Sequence, residues 1–261
     1  MTAEKVEVGK GWEWIVRGWR LFTQAPGVWI VMLLIYIVIS IALSIIPFIG
    51  AVTSTLITPA LIGGMLYGAD ALERGQPLAI GHLFQAFSDQ QKLGPMLTLG
   101  ALLLGVYLLM VLIAVGIIAG GAMGSGAFNA GMGTGMGMGT GMSEEQMTAL
   151  LAGSGLVIVA FVVVACAVAM AMFYGIPLVM LGDQTPITAC QESFSASLTN
   201  FLPLFVFSLI YLVLSVLAAI PLGLGFLVLA PVTFGAVYSS YRDVFPERHT
   251  GSTQFPSLIK R

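Results

Sequence analysis

The stretch PGVWIVMLLIYIVISIALSIIP, from Pro26 to Pro47, contains no charged residue and consists mostly of Ile, Leu and Val. About 20 consecutive apolar residues are enough for an α-helix to cross the hydrocarbon core of a bilayer. Pro26 suits the first turn of such a helix and Pro47 suits its end, because proline has no N–H to donate inside a helix. The stretch therefore predicts a transmembrane helix.

The composition of the whole chain indicates that lipid surrounds most of it. Only 8% of the 261 residues are charged, 58% are hydrophobic, and the mean hydropathy is +0.99. Soluble domains carry about 25% charged residues, so this chain has too few polar side chains to cover a water-exposed surface. The formal net charge of -2, with no clustered basic residues, also argues against a nucleic-acid partner.

Five further stretches are long and apolar enough to cross a bilayer. The six crossings are predicted at about 26–47, 51–67, 96–120, 150–181, 201–221 and 222–241. The predicted fold is thus an all-α, polytopic membrane protein. It has an N-terminal segment (1–25), a membrane domain (26–242) and a tail (243–261), with an outward Gly/Met-rich loop at 121–146.

The basic residues predict the orientation of these crossings. With six crossings, all ten Lys and Arg residues fall on one side of the membrane. Short loops rich in Lys and Arg favour the cytoplasmic side. We therefore expect a multi-pass protein of the bacterial inner membrane with both chain ends in the cytoplasm.

The segment GWEWIVRGWRLF, from Gly11 to Phe22, predicts an amphipathic helix at the membrane interface. At 100° per residue one arc is apolar and holds Trp12, Ile15, Val16, Trp19 and Phe22. The opposite arc holds Glu13, Arg17, Arg20 and Gln24, with Trp14 and Leu21 beside it. Indole rings favour the headgroup level, and arginines meet anionic lipid there, so Trp12, Trp14, Trp19, Arg17 and Arg20 are predicted anchors.

Similar amphipathic segments precede the third and fifth crossings. Their apolar faces hold Ile80, Leu83, Phe84 and Phe87 in the first, and Ile187, Cys190, Phe194 and Leu198 in the second. The outgoing crossings also share a pattern, PALIGGMLY from Pro59 and PVTFGAVY from Pro231. We therefore predict three hairpin units, each preceded by an interfacial helix on the cytoplasmic side, with the loop inserted in the middle unit.

Three segments resemble a family of uncharacterised bacterial inner-membrane proteins with six predicted crossings. They are GKGWEWIVRGWRLFTQAPGVW from Gly9, SFSASLTNFLPLFV from Ser193, and the end that runs from PLGLGFLVLAPV at Pro221 to VYSSYRDVF at Val237. The resemblance covers nearly the whole chain apart from the loop and implies the same topology. It transfers no catalytic residue.

The loop from Gly120 to Met147 carries the one pattern that suits a metal. Its glycine-separated methionines Met132, Met136, Met138 and Met142 are soft ligands appropriate for Cu(I). The same composition is typical of a flexible low-complexity tract, in which Met makes adaptable apolar contacts. Copper handling on the outward side is therefore one hypothesis and a plain linker is the other.

Other chemistry is weakly represented, and we predict no cofactor and no enzyme. The central parts of the crossings carry no ionisable residue, which argues against an ion or proton carrier. The hydroxyls of the first two crossings are candidates to line a neutral pore, although such hydroxyls usually bond to helix carbonyls: Ser40, Ser44, Thr53, Thr55 and Thr58.

Two motifs predict contacts within or between helices. The glycine pairs Gly64/Gly68 and Gly116/Gly120 have the spacing that lets helix backbones approach, within one bundle or between two copies. Tyr241-Arg242-Asp243, just beyond the last crossing, predicts an interfacial anchor with an internal Arg–Asp pair.

These observations predict a non-enzymatic scaffold, assembly factor or accessory subunit of the inner membrane. Its expected partners are membrane lipids and other membrane proteins or a second copy of itself. The alternatives are a permease or channel for a small neutral or amphiphilic solute, and outward copper handling.

Overall fold

A computed structural model describes residues 3–124 and 144–246, and the side-chain surroundings of 3–116, 155 and 158–246. Every regular element in these ranges is helical. The long helices are α1 (Lys10–Gln24), α2 (Pro26–Ser44), α3 (Ile49–Glu73), α5 (Gln90–Gly124), α6 (Glu144–Met180), α7 (Pro186–Thr199), α8 (Phe201–Ala219) and α9 (Phe226–Val244). A 3₁₀ helix (Ile80–Phe84) and the single-turn α4 (Gln85–Ser88) lie between α3 and α5.

Proline positions explain several boundaries. Pro26 and Pro186 occupy the first turns of α2 and α7, where an N–H would have no partner inside the helix. Pro59, Pro177 and Pro231 lie inside α3, α6 and α9. Interior prolines are tolerated in membrane helices when neighbouring groups satisfy the freed backbone atoms.

Five helices are long and apolar enough to cross a membrane. They are Pro26–Ser44, Ile49–Glu73, Gln90–Gly116, Ile158–Met180 and Phe201–Ala219. The predicted sixth crossing corresponds to α9, which is not among them, because its last two turns carry Ser239, Ser240, Arg242 and Asp243 and lower its hydropathy.

The described chain divides into two compact units. The first comprises residues 1–101 and 170–261, and the second comprises residues 102–169, the continuations of α5 and α6. In the second unit the described side chains are mostly large and exposed, including Leu112 at 69% and Val163 at 62%. Such a surface is stable next to lipid and unfavourable in water.

In the first unit, α3, the end of α6 and α9 contact one another. Gly63 of α3 lies against Met180 of α6, and the Tyr238 hydroxyl of α9 donates to Asp70 of α3 at 2.8 Å. The rings of Tyr174 in α6 and Phe245 after α9 are 5.6 Å apart. All three helices contribute residues to the buried core.

Each of these three helices also packs against a short helix. Gly235 of α9 lies directly against Gly18 of α1, and Gly64 of α3 lies against the carbonyl of Leu83 in the 3₁₀ helix. The third contact is between α6 and α7, where Ser193 bonds to the backbone of Tyr174 and Met170. The second predicted amphipathic segment is thus a 3₁₀ turn followed by one α-turn, whereas α1 and α7 are regular helices.

The chain reverses within a few residues between α2 and α3 and again between α8 and α9. At the second corner Leu222 and Gly223 have φ values of 54° and 82°, and a Cβ on Gly225 would lie 2.5 Å from Ala218. This contact requires glycine, because any side chain would separate the two helices. The α8–α9 hairpin is therefore tightly closed at this end.

Candidate functional site: the N-terminal helix and the surface around it

Trp14 attaches α1 to the rest of the first unit. Its side chain is 0% exposed, and its indole N–H donates to Asp243 Oδ2 at 3.0 Å. The ring also meets Phe207 of α8 edge to face, with centroids 6.3 Å apart. The structure thus places Trp14 in the protein core, where its indole has no contact with lipid.

Arg17 forms a second connection to the same carboxylate. Its Nη1 donates to Asp243 Oδ1 at 2.9 Å and its Nη2 donates to Oδ2, which makes the pair bidentate. Burial alone would raise the pKa of Asp243, but the hydrogen bonds from Arg17 and Trp14 and the attraction of Arg17 and Lys10 hold it below its usual value. The hydrogen bond to Asp243 raises the pKa of Arg17.

A neighbouring set of charges connects α3 to α9. Asp70 is 3% exposed, accepts from the Tyr238 hydroxyl and pairs with Arg74 at 2.8 Å. Arg242 donates to the Tyr238 hydroxyl at 3.1 Å and faces Glu73 at 3.5 Å. The predicted pair between Arg242 and Asp243 is therefore wrong, because each pairs with a residue on another helix.

We call this set the charged cluster. It consists of Lys10, Glu13, Arg17, Asp70, Glu73, Arg74, Arg242 and Asp243. Four cations face four anions, so the cluster leaves no net charge for an ionic ligand. Its geometry suits a structural role, in which it holds α1 and α3 against α9.

The two ends of the described chain meet close to the charged cluster. Glu4 N–H donates to the carbonyl of Val244 at 3.0 Å. Asn200, at the start of α8, accepts from Val6 N–H at 2.9 Å and donates to the Glu4 carbonyl at 3.0 Å. The start of α8 and the end of α9 are therefore both adjacent to Glu4.

The other two tryptophans of α1 point outward. Trp12 is 57% exposed and Trp19 is 52% exposed, with Val16 between them. On a helical wheel these residues lie between the arc buried against α8 and α9 and the arc of Glu13, Arg17 and Arg20. The surface of α1 is thus divided into protein-facing, exposed apolar and charged sectors, whereas two arcs were expected from the sequence.

The α7 helix has the same arrangement in a simpler form. Its small residues Ala189, Ser193 and Ala196 are buried, while Ile187 and Leu198 are 61% and 54% exposed. Soluble helices normally bury their large apolar residues and expose their small polar ones. The exposed apolar face of α7 therefore indicates a surface covered by lipid or by another protein.

An apolar groove of about 530 Å³ lies between α1 and the α8–α9 hairpin. Its walls include Trp12, Val16 and Trp19 of α1, Leu214 and Leu217 of α8, and Val228 and Val232 of α9. Apart from the indole N–H groups, these walls consist of hydrocarbon side chains. The groove therefore suits an apolar occupant.

The remaining predicted residues are distributed over the structure. Gly64 and Gly68 lie against Leu83 and Leu78, whereas Gly116 has no side-chain neighbour within 4 Å among the described atoms, and the surroundings of Gly120 are outside the described side chains. Tyr241 is 0% exposed beside Phe245, and Arg20 is exposed on α1. Tyr241, like Trp14, thus has no access to lipid.

The candidate copper ligands Met132, Met136, Met138 and Met142 lie outside the described residues. Within 3–124 and 144–246, no group of three His, Cys, Asp or Glu side chains is arranged to hold a metal ion. His82 lies in the 3₁₀ helix with its ring centroid 5.3 Å from that of Tyr67, and burial lowers its pKa. Burial raises the pKa of the Cys190 thiol in α7.

The hydroxyls considered as pore lining mostly bond within their own helices. Ser40, Ser44, Thr55 and Thr58 donate to backbone carbonyls three or four residues earlier, at 2.7–2.9 Å. A hydroxyl that donates to its own helix has its single proton already committed.

Sequence reasoning missed Asp70, Tyr238, Asp243 and Ser193 as connecting residues. One signal was present in the shared pattern of the outgoing crossings. PALIGGMLY ends at Tyr67, three residues before Asp70, and PVTFGAVY ends at Tyr238, the residue that bonds to Asp70. No protein-family model, curated protein or solved structure matches the chain.

Proposed function

We propose that this chain is a non-enzymatic scaffold or accessory subunit of the bacterial inner membrane that acts through lipid and protein contacts of its short helices. Five long apolar helices are compatible with an integral membrane protein. The observation that carries the scaffold role is the outward placement of large apolar side chains on α1 and α7, next to helices whose charges are already satisfied. The six-crossing topology and the family resemblance are part of this proposal.

The sixth crossing is supported by the geometry of the α8–α9 hairpin. Both helices have 19 residues, and they are joined by a tight corner. The start of α8 and the end of α9 are both hydrogen-bonded neighbours of Glu4. If α8 crosses the bilayer, α9 must cross back.

The proposed cytoplasmic location of both ends is supported by the basic residues, and the same contact supports placing the two ends on one side. Glu4 and Val244 are adjacent, so the described ends of the chain share one side. Lys10, Arg17 and Arg242 lie near them, and Lys and Arg concentrate on the cytoplasmic side of inner-membrane proteins.

The scaffold role predicts specific protein neighbours for α7. A photo-reactive benzoylphenylalanine at Ile187 or Leu198 in the full chain, irradiated in native membranes, should give discrete protein adducts. The matched control is Val216, 61% exposed on the membrane helix α8, which should give lipid adducts only. Adduct masses separate a second copy of this chain from another protein, and lipid adducts alone at Ile187 and Leu198 would reject the scaffold role.

The two alternatives receive less support from the described residues. For a permease or channel for a small neutral or amphiphilic solute, the hydroxyls of α2 and α3 that could line a polar path donate to their own helices, and the groove beside α1 offers apolar walls only. The copper hypothesis depends on residues outside the described ranges and stays a prediction.

A further inference from the structure

The groove between α1 and the α8–α9 hairpin has three walls from different helices. Trp12 and Trp19 form one side, Leu217 forms the second, and Val228 and Val232 form the third. Trp12, Trp19 and Leu217 are all more than half exposed, so the groove is open at its edge. A volume of about 530 Å³ is within the range of small-molecule sites.

The groove is continuous with the outward surface of α8. Val213 and Val216, on the same helix as Leu217, are 55% and 61% exposed, as expected for a helix that crosses a membrane. Water is a poor occupant because a bound water needs two to four polar partners, which these walls do not supply. Next to a membrane-crossing helix, the hydrocarbon available to fill an open apolar groove is an acyl chain.

Arg20 is a cation on α1, the helix whose tryptophans line the groove. It follows Val16 by one helical turn and Trp19 by one residue, and it is exposed. The other two cations of α1, Lys10 and Arg17, pair with Glu13 and Asp243, whereas Arg20 faces no carboxylate among the described residues. An arginine without a carboxylate partner attracts a phosphate, and most strongly a lipid of net negative charge.

We propose that this groove binds one acyl chain of an anionic phospholipid, with the phosphate held by Arg20. The inference rests on the proposed lipid-contact function and names the lipid class and the residues that select it. Trp12 and Trp19 clamp the chain, and the α8–α9 hairpin forms the floor of the groove.

The test uses the intact protein purified in detergent and a phosphatidylglycerol brominated on its acyl chain, because bromine quenches an indole that it contacts. Added lipid should quench tryptophan emission in a saturable manner. Trp12→Phe combined with Trp19→Phe should abolish the quenching, since Trp14 and Trp29 are fully buried. Non-saturable quenching, or quenching that survives in this double variant, would overturn the proposal.

Two matched pairs separate the chain contact from the headgroup contact. Val228→Phe fills the groove and should weaken the binding of brominated phosphatidylglycerol about fourfold for each methylene of the acyl chain that it displaces. Val216→Phe, outside the groove, should leave the affinity for this lipid unchanged. Arg20→Gln should weaken the binding of brominated phosphatidylglycerol about fivefold and that of brominated phosphatidylcholine by less, because choline already balances the charge of its phosphate. Equal losses of lipid affinity in the two phenylalanine variants would contradict acyl-chain binding in the groove. An Arg20→Gln variant with unchanged affinity for phosphatidylglycerol would contradict the headgroup contact.

Failure here is distinguishable from failure of the scaffold role. The scaffold role is tested by adducts at Ile187 and Leu198, which lie on α7 and do not line the groove. Protein adducts at α7 without lipid binding in the groove would contradict only the lipid proposal. Lipid binding in the groove without protein adducts at α7 would contradict only the scaffold role.

Discussion

Asp243 connects two side chains of α1 to the end of α9. A single carboxylate accepts from the Trp14 indole and from both guanidinium nitrogens of Arg17. Charge-assisted, bidentate bonds of this kind are stronger than neutral ones. The outward direction of Trp12 and Trp19 follows from this contact, because fixing Trp14 inward fixes the rotation of the helix.

We predict that Asp243→Asn destabilises the folded protein by about 1–3 kcal/mol at neutral pH, since it weakens three hydrogen bonds to a charged acceptor. The pKa of Asp243 is below its ordinary value, so its contribution is complete above about pH 4 and is lost as the pH falls through the folded-state pKa. Thermal unfolding in detergent between pH 7 and pH 3 should show a steeper acid loss in the wild type than in the variant.

Glu13→Gln is the control for this prediction. Glu13 also faces Arg17, at 3.8 Å, but its side chain is 53% exposed. Exposed ion pairs contribute little, so this variant should change stability by less than about 1 kcal/mol. Equal losses in the two variants would contradict the role assigned to Asp243.

At this scale the sequence predicted the angular position of each side chain of α1 but not its surroundings. A helical wheel separates Trp12 from Trp14 by about 200° and says nothing of which surface meets protein. The partner that distinguishes them, Asp243, is more than two hundred residues away in the chain. Asp70 and Tyr238 escaped prediction for the same reason.

At the scale of helices, hydropathy was sufficient to locate the long apolar elements, because lipid requires long uncharged runs with internally satisfied backbones. It was insufficient for α9, where Ser239 and Ser240 are buried and the half-buried Arg242 bonds to Tyr238. The packing of the short helices was not predicted either. It depends on close approaches between helix backbones, which the periodicity of apolar residues does not indicate.

The contact of α1 with α9 gives a testable prediction about helix packing. A Cβ on Gly18 would lie 2.2 Å from the Val232 carbonyl and 2.7 Å from Ala236 N, both rigid backbone atoms. Gly18→Ala should therefore separate the helices and cost about 1–3 kcal/mol. Gly27→Ala in α2, where no atom lies within 4 Å, should be neutral or stabilising by up to about 1 kcal/mol. Thermal unfolding of the two variants in one detergent measures the difference.

The contact of α7 with α6 gives a second prediction about helix packing. The Ser193 hydroxyl accepts from Tyr174 N–H at 3.0 Å and donates to the Met170 carbonyl at 2.6 Å, the two groups that a regular helical turn would pair. Ser193→Ala should cost about 1–3 kcal/mol, because it removes a partner from a buried N–H. Ser195→Ala, on the exposed side of α7, should have no measurable effect on unfolding, and a similar loss there would contradict the bridging role.

At the scale of the whole chain, the meeting of Glu4 with Val244 and Asn200 constrains the topology more than any single hydropathy value does. Two adjacent ends require an even number of crossings. Hydropathy alone identifies five such helices, an odd number, so the proposed topology assigns the sixth crossing to the polar α9. This step depends on long-range contacts that composition cannot reveal.

The resulting topology predicts where single cysteines react. In a background with Cys166 and Cys190 replaced, the variants Glu7→Cys, Phe48→Cys and Leu222→Cys place thiols at exposed sites, the last two at corners that are 88% and 97% exposed. A membrane-impermeant maleimide added to intact cells should label Phe48→Cys and Leu222→Cys, while Glu7→Cys should react only after permeabilisation. Labelling of Leu222→Cys from the same side as Glu7→Cys would mean that α8 does not cross. Labelling of all three from outside would reverse the orientation that the basic residues predict, because the charged cluster would then face away from the cytoplasm.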